Sequence, residues 1–206
     1  MPSPLAHASL ACFARPLLAR QGFANLPRPR RWAFYALLGF ALCAPDLDFA
    51  LRLLPPHPLH AHGTFLHSLA AAVLFAPLFG FVAHGLLQRA IAWWRLALVG
   101  LLAYSAHLLM DMFTPGRGVM LLWPIIDQRL SAPLPLFVGA EHSDLWAWRW
   151  HLLTLTTELA FAGVVWLIAR RLSLAGARKA RPTGEAKCIS TRGPTDSNPP
   201  QPARHL

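Results

Sequence analysis

Apolar residues fall in four long blocks, at about residues 32–54, 66–88, 90–113 and 148–171. At the 1.5 Å rise of a helix, about twenty such residues cross a hydrocarbon core of ~30 Å. The pattern predicts an all-α, polytopic membrane protein with about four transmembrane helices. The second and third blocks meet at a very short turn near Arg89, which predicts an antiparallel hairpin. Residues 114–147 carry Pro115, Gly116, Gly118, Pro124, Pro133, Pro135 and Gly139. These argue against a regular helix and for a partly apolar loop, re-entrant or lying on the surface. No internal repeat is visible.

The flanks differ from the blocks. Residues 1–31 contain Arg15, Arg20, Arg28, Arg30 and Arg31 and no acid. Their apolar stretch is too short and interrupted for a signal peptide. They read as a basic cytoplasmic leader lying along the membrane, ahead of a helical membrane domain at 32–172. From Ser173 the chain turns to Gly, Pro, Ser, Lys and Arg, which cannot bury a core and predict a disordered basic tail at 173–206.

Composition agrees with this division. The chain has 206 residues, 55% hydrophobic and only 14% charged, against roughly 25% charged in soluble proteins. Its +10 formal charge sits in flanks and loops and forms no stripe on a folded domain, which disfavours nucleic acid as a partner. The expected partner is the lipid bilayer, and no sign of oligomeric state is carried. Four spans would put both termini on one side, the side with the N-terminal arginines and Arg170, Arg171, Arg178, Lys179 and Arg181. The positive-inside rule makes that side cytoplasmic in a bacterial inner membrane, and the loops at 55–65 and 114–147 then face the periplasm. Cys12, Cys43 and Cys188 are scattered without CxxC spacing, so neither a disulfide framework nor a thiolate zinc site is indicated.

An intramembrane charge costs about 2.5–3.5 kcal/mol on insertion scales, so the positions of the few acids carry information. Asp46 and Asp48 lie in CysAlaProAspLeuAspPhe, in the outer half of the first span. His60, His62 and His67 lie at the outer start of the second span, in HisAlaHisGlyThrPheLeuHisSer. His107 and Asp111 end the third span, four residues apart and so on one helical face. Charge-derived topology brings all three segments to one membrane face. Asp46 and Asp48 would point in nearly opposite directions on an ideal helix, but Pro45 removes a backbone donor and allows a break there. His62 and His67 fit a loop ligand followed by a helical one. Each fragment alone also fits a polar pair between helices or a solvated cap. Together, three carboxylates and three imidazoles favour a divalent metal, zinc or manganese, with enough ligands for two ions.

The order ProAspLeuAsp, HisGlyThrPheLeuHisSer, HisLeuLeuMetAspMetPheThrPro, GlyValMetLeuLeuTrpPro resembles the YdjM-like, LexA-binding, inner-membrane-associated metal-dependent hydrolases, over about residues 30–145. The resemblance implies that Asp46, Asp48, His62, His67, His107 and Asp111 form the functional set, with Glu141 in GlyAlaGluHisSer a weaker match. The family pattern has a small polar residue directly before the second middle histidine, where this chain has Leu66.

Other polar residues have competing readings. Glu158, about 12 Å down the fourth span by helical rise, either supports the site or makes an interhelical hydrogen bond, and His151 lies on nearly the same face. His60 reads as a proton shuttle or a solvated loop residue, and His84, toward the opposite membrane face, as structural. His57 and His142 have no decisive spacing. Arg117 and Arg129 could hold a phosphate or simply solvate the outer loop. Trp93, Trp94, Trp146, Trp148 and Trp150 near span ends fit an interfacial belt. The expected function is metal-assisted hydrolysis of an ester or phosphoester of a lipid or envelope metabolite, with Asp46, Asp48 or Asp111 as ligand or general base. The alternatives are a metal or proton transporter and a noncatalytic membrane regulator.

Overall fold

The computed structural model describes residues 3–51, 63–116, 118–138, 146 and 148–180. Among them the chain is helical, with one isolated antiparallel bridge between Val119 and Leu130. The helices are α1 (Pro4–Ser9), α2 (Ala14–Leu18), α3 (Arg28–Cys43), α4 (Asp48–Leu51), α5 (Leu69–Leu86), α6 (Trp93–Met112) and α7 (Trp148–Ala180). Short 3-10 turns at Leu10–Phe13, Ala44–Leu47 and Phe65–His67 connect several of them.

Among the described residues, three helices are long and apolar enough to cross a membrane: Leu69–Leu86, Trp93–Met112 and Trp148–Gly176. The first predicted span, 32–54, is the exception. Its helix starts earlier, at Arg28, and stops after 16 residues at Cys43. Pro45 lacks the N–H that an α-helix would use, and the chain tightens into the 3-10 turn Ala44–Leu47.

The predicted hairpin is present, and α5 against α6 is the most extensive helix–helix contact among the described residues. After α5 the chain reverses through Gln88 and Arg89, both with positive φ (51° and 62°). The His84 ring Nδ1 pairs with the Ile91 carbonyl at 2.8 Å across this turn, a structural role at the end of the bundle. Glycines let the two helices approach closely. A Cβ on Gly80 would lie 2.7 Å from the Ala97 Cβ and 2.8 Å from the Trp93 carbonyl oxygen, and one on Gly100 would lie 2.6 Å from the Phe79 ring.

Residues 3–25 fold back along α3. The Cys43 thiol lies 3.7 Å from the Pro4 carbonyl, whereas at the other end Phe23 packs edge-on against Phe34 and Tyr35 and Arg31 Nη1 donates to the Ala24 carbonyl at 2.6 Å. Ala11, Ala14, Leu18 and Phe23 share one core with Phe34, Leu38, Leu42, Phe79, Leu87 and Leu96. α7 packs chiefly on α1, Leu10–Phe13 and α2, so the N-terminal segment lies between α7 and α3. Ser3 is consequently at the Cys43 end of the bundle, and α7 descends from that end toward Ala180 at the other.

The outer faces of α5, α6 and α7 expose Leu74, Leu78, Phe81, Leu102, Leu109, Leu159 and Leu167, as expected of surfaces that meet hydrocarbon. Residues 118–138 form an irregular strap across the Cys43 end. It is fastened by Met120 N to the Gly63 carbonyl (3.1 Å), Leu69 N to the Leu121 carbonyl (2.9 Å) and Ala132 N to the Met112 carbonyl (2.7 Å).

The helix contact generates a paired expectation. Gly80→Ala should lower the thermal midpoint in detergent, by an overpacking cost of about 1–3 kcal/mol. Gly85→Ala, where a Cβ meets nothing within 4 Å, should leave it unchanged or raise it. Equal midpoints for the two variants would contradict the packing described.

Candidate metal centre

A polar cluster lies at the Cys43 end of the bundle, with Asp46, Asp48 and His67 placed by local breaks in the helices and His107 and Asp111 by the regular helix α6. The 3-10 turn after α3 carries Asp46 and leads into Asp48 at the start of α4. His67 closes the 3-10 turn Phe65–His67. Ser68 follows as the N-cap of α5, accepting from Ala71 N at 3.1 Å and donating to the Phe65 carbonyl at 2.8 Å. The Tyr104 hydroxyl donates to the Leu66 carbonyl at 2.6 Å and ties this turn to α6. His107 and Asp111, one helical turn apart near the end of α6, complete the set.

Asp46, His67, His107 and Asp111 each offer one ligand atom, all within 4.8 Å of one another. His67 Nε2 lies 3.4 Å from His107 Nε2, 3.7 Å from Asp46 Oδ1 and 3.1 Å from Asp111 Oδ2. His107 Nε2 lies 3.5 Å from Asp46 Oδ1 and 3.4 Å from Asp111 Oδ2. Four ligand atoms held tetrahedrally at about 2.0–2.1 Å from one small cation would be separated by about 3.3 Å. The observed spacing is that of atoms arranged around a common centre.

The second ring nitrogen of each histidine is also accounted for. His67 Nδ1 faces Asp48 Oδ2 at 3.0 Å, and the same oxygen accepts the Gly63 N–H at 2.9 Å. His107 Nδ1 pairs with the Leu42 carbonyl at 2.7 Å. Outer partners of this kind fix a ligating imidazole's tautomer and orientation. Both histidines are fully buried. Asp46 Oδ1 and both Asp111 oxygens are buried without a hydrogen-bond partner, which a divalent cation would satisfy. Burial pulls the His67 imidazole down, but Asp111, Asp46 and Asp48 outweigh it and push it up to about 11. A cation taking Nε2 therefore has to displace a proton.

The sequence pattern of the YdjM inner membrane protein family matches residues 4–181. The chain belongs to this family. No curated protein and no solved structure matches it.

The YdjM match reaches further than the motifs at 30–145 and takes in α1 and α7. Of the expected YdjM-type set, Asp46, His67, His107 and Asp111 converge, while Asp48 stands behind His67. His62 and Glu141 lie outside the described residues, as do His57, His60, Arg117 and His142. Arg129 donates from Nη1 to the Gly118 and Gly63 carbonyls at 3.0 and 3.3 Å and so pins the strap to the turn leading into α5. Gly63 is required there: its φ is +79°, and a Cβ would lie 2.9 Å from the Arg129 guanidinium.

His7 is the residue that sequence reasoning passed over. It is fully buried, its ring stacks on His107 with centroids 3.8 Å apart, and Nε2 is 3.6 Å from Asp111 Oδ1. A signal was present. His7, Ala11, Ala14 and Leu18 follow one another at steps of four, three and four, a helical stripe, and Ser3–Pro4 is a helix-start signature. Glu158 lies beside this segment and away from the four donors. Its carboxylate accepts the Ser3 N–H at 2.6 Å and the Ser3 hydroxyl.

Two outcomes follow for this YdjM-family centre. Asp48→Asn should weaken divalent-metal binding by about 10–100-fold, the usual cost of losing an outer-shell carboxylate. Asp111→Asn should weaken it further, with both values read by competition against a chromophoric chelator. Binding should also release protons, seen calorimetrically as a heat that changes with the buffer's ionisation enthalpy, and affinity should therefore fall as pH falls. A buffer-independent heat would count against His67 as a ligand.

Proposed function

We propose that this protein is a membrane-bound, metal-dependent hydrolase acting on an ester or phosphoester at the level of the lipid headgroups. The observation carrying the reading is the convergence of two imidazole nitrogens and two carboxylates, with both histidines oriented from behind. His67 precedes α5 by two residues and Asp111 is the penultimate residue of α6. The cluster thus sits at the ends of two candidate spans, a depth suited to a lipid or envelope metabolite.

The mixed donor set suits zinc or manganese. The described donors account for one ion, and a second would draw on His62 or Glu141. When bound, the cation supplies Lewis acidity and lowers the pKa of water. Asp48 holds His67 in place, and the Leu42 carbonyl holds His107. Asp46 is the most exposed of the four donors, its side chain 16% exposed against 0–2% for His67, His107 and Asp111, so it faces an incoming substrate more than the other three.

Beneath the cluster the core is apolar, built from Phe34, Leu38, Phe79 and Leu96. This favours a site open at one end over a translocation path. Arg28, Arg31, Arg89, Arg95, Arg170 and Arg171 belong to the opposite end, so the positive-inside rule supports a periplasmic site. With Ser3 at the site end, the N-terminal segment and α3 together would make one return passage, which would put Ser3 on the periplasmic side and replaces the cytoplasmic leader lying along the membrane that charge alone suggested.

Purified protein loaded with Mn2+ or Zn2+ and screened on phosphoesters and phospholipids should hydrolyse at least one class. A chelator should abolish the activity and the metal should restore it, and Asp46→Asn, His67→Ala and Asp111→Asn should each lower turnover by at least about 100-fold, the scale of one lost catalytic group. Full activity in all three variants would overturn the assignment. Ligand-dependent metal uptake into sealed vesicles without hydrolysis would favour a transporter.

A further inference from the structure

We infer that the N-terminal helix is part of the metal centre: His7 holds Asp111 in its ligating orientation, and Ser3 and Glu158 latch the helix that carries His7. The inference rests on the metal-centre reading and extends it to α1 and α7.

Asp111 divides its two oxygens between two tasks. Oδ2 faces the ligand cluster, 3.1 Å from His67 Nε2 and 3.4 Å from His107 Nε2. Oδ1 faces away from it and toward His7 Nε2 at 3.6 Å. Neither nitrogen of His7 has a hydrogen-bond partner, and Asp111 Oδ1 has none either, although His7 is fully buried and Asp111 nearly so. A separation of 3.6 Å exceeds a hydrogen bond by a few tenths of an ångström, and a small adjustment of either side chain satisfies both groups. The stack on His107 keeps the ring in the plane from which Nε2 meets Oδ1. His7 thereby completes a set of outer partners. Asp48 stands behind His67, the Leu42 carbonyl behind His107, and the His7 N–H behind Asp111.

His7 lies one helical turn beyond Ser3, so its reach depends on where α1 begins. Ser3 is the N-cap of that helix, its hydroxyl accepting the Leu5 N–H at 3.3 Å. Both the backbone N–H and the hydroxyl of Ser3 donate to Glu158, which is buried. A carboxylate in the middle of an apolar helix is costly unless its oxygens are satisfied. Here both are satisfied by the one residue that fixes the start of α1. Glu158 is therefore a positioning residue, acting on the centre through Ser3 and His7.

The test uses the full chain in detergent, with Zn2+ affinity measured by chelator competition and the d–d absorption of bound Co2+ as a second readout. His7→Phe keeps a ring to stack on His107 and removes the N–H. It should lower Zn2+ affinity by about 10–100-fold and shift the Co2+ bands. His7→Gln, which retains an N–H to offer Oδ1, should stay close to wild type. Wild-type affinity in His7→Phe overturns the role of His7, and so does an equal loss in both variants, since packing would then be the cause. Glu158→Ala, remote from the four donors, should weaken Zn2+ binding in the same direction, and an unchanged affinity overturns the latch. If wild-type protein binds neither Zn2+ nor Co2+, the underlying metal-centre reading fails as well, a result distinguishable from loss in the variants alone.

Discussion

Carboxylates buried at the end of an apolar bundle have to be neutralised, and the fold is organised around that requirement. Removing an ion from water costs several kcal/mol even after relaxation, and the cost is recovered only with close partners of opposite charge and satisfied lone pairs. Asp46, Asp48 and Asp111 surround His67 and His107, and a divalent cation would complete the balance. The local irregularities of the site end serve this grouping. The proline break after α3 turns the chain toward the cluster, the Ser68 cap follows directly on His67, and the left-handed Gly63 brings its N–H to Asp48.

Close apolar packing below the cluster supports the same grouping. Glycines at the α5–α6 contact bring the two helices together and hold the His67 turn, at the head of α5, against His107 and Asp111 on α6. The strap at 118–138, pinned by Arg129 and by backbone hydrogen bonds, closes over the same end. Rigid support from packed helices, with outer partners behind each donor, is what lets separate chain segments hold ligand atoms at similar spacing.

Much of this was legible in the sequence, for identifiable reasons. Helix periodicity brings His107 and Asp111 together whatever the rest of the chain does, and the short turn at Arg89 fixes the direction of α5 relative to α6. Pro45 announced a break, although not that α3 would end just before it and leave three helices of spanning length among the described residues. Asp48 was grouped with the donors because proximity in sequence cannot tell which nitrogen of His67 a carboxylate faces. His7 is hard to read from sequence because the arginines of residues 1–31 give that segment a basic character, while the buried stripe beside them is made largely of alanine, which contributes little to a hydropathy pattern. Glu158 was visible as an isolated acid in a span, but its partner is a serine 155 residues away, a pairing that no local rule contains.

That pairing bears on biogenesis. Of the described elements α1 emerges first, and of the two long helices it packs against, α3 follows soon after and α7 comes last. His7 can be carried near Asp111 by the early bundle, but Ser3 has no counterpart for its two donors until α7 has been inserted. Every donor and His7 are thus made before α7, and what α7 adds is the carboxylate that receives both donors of Ser3.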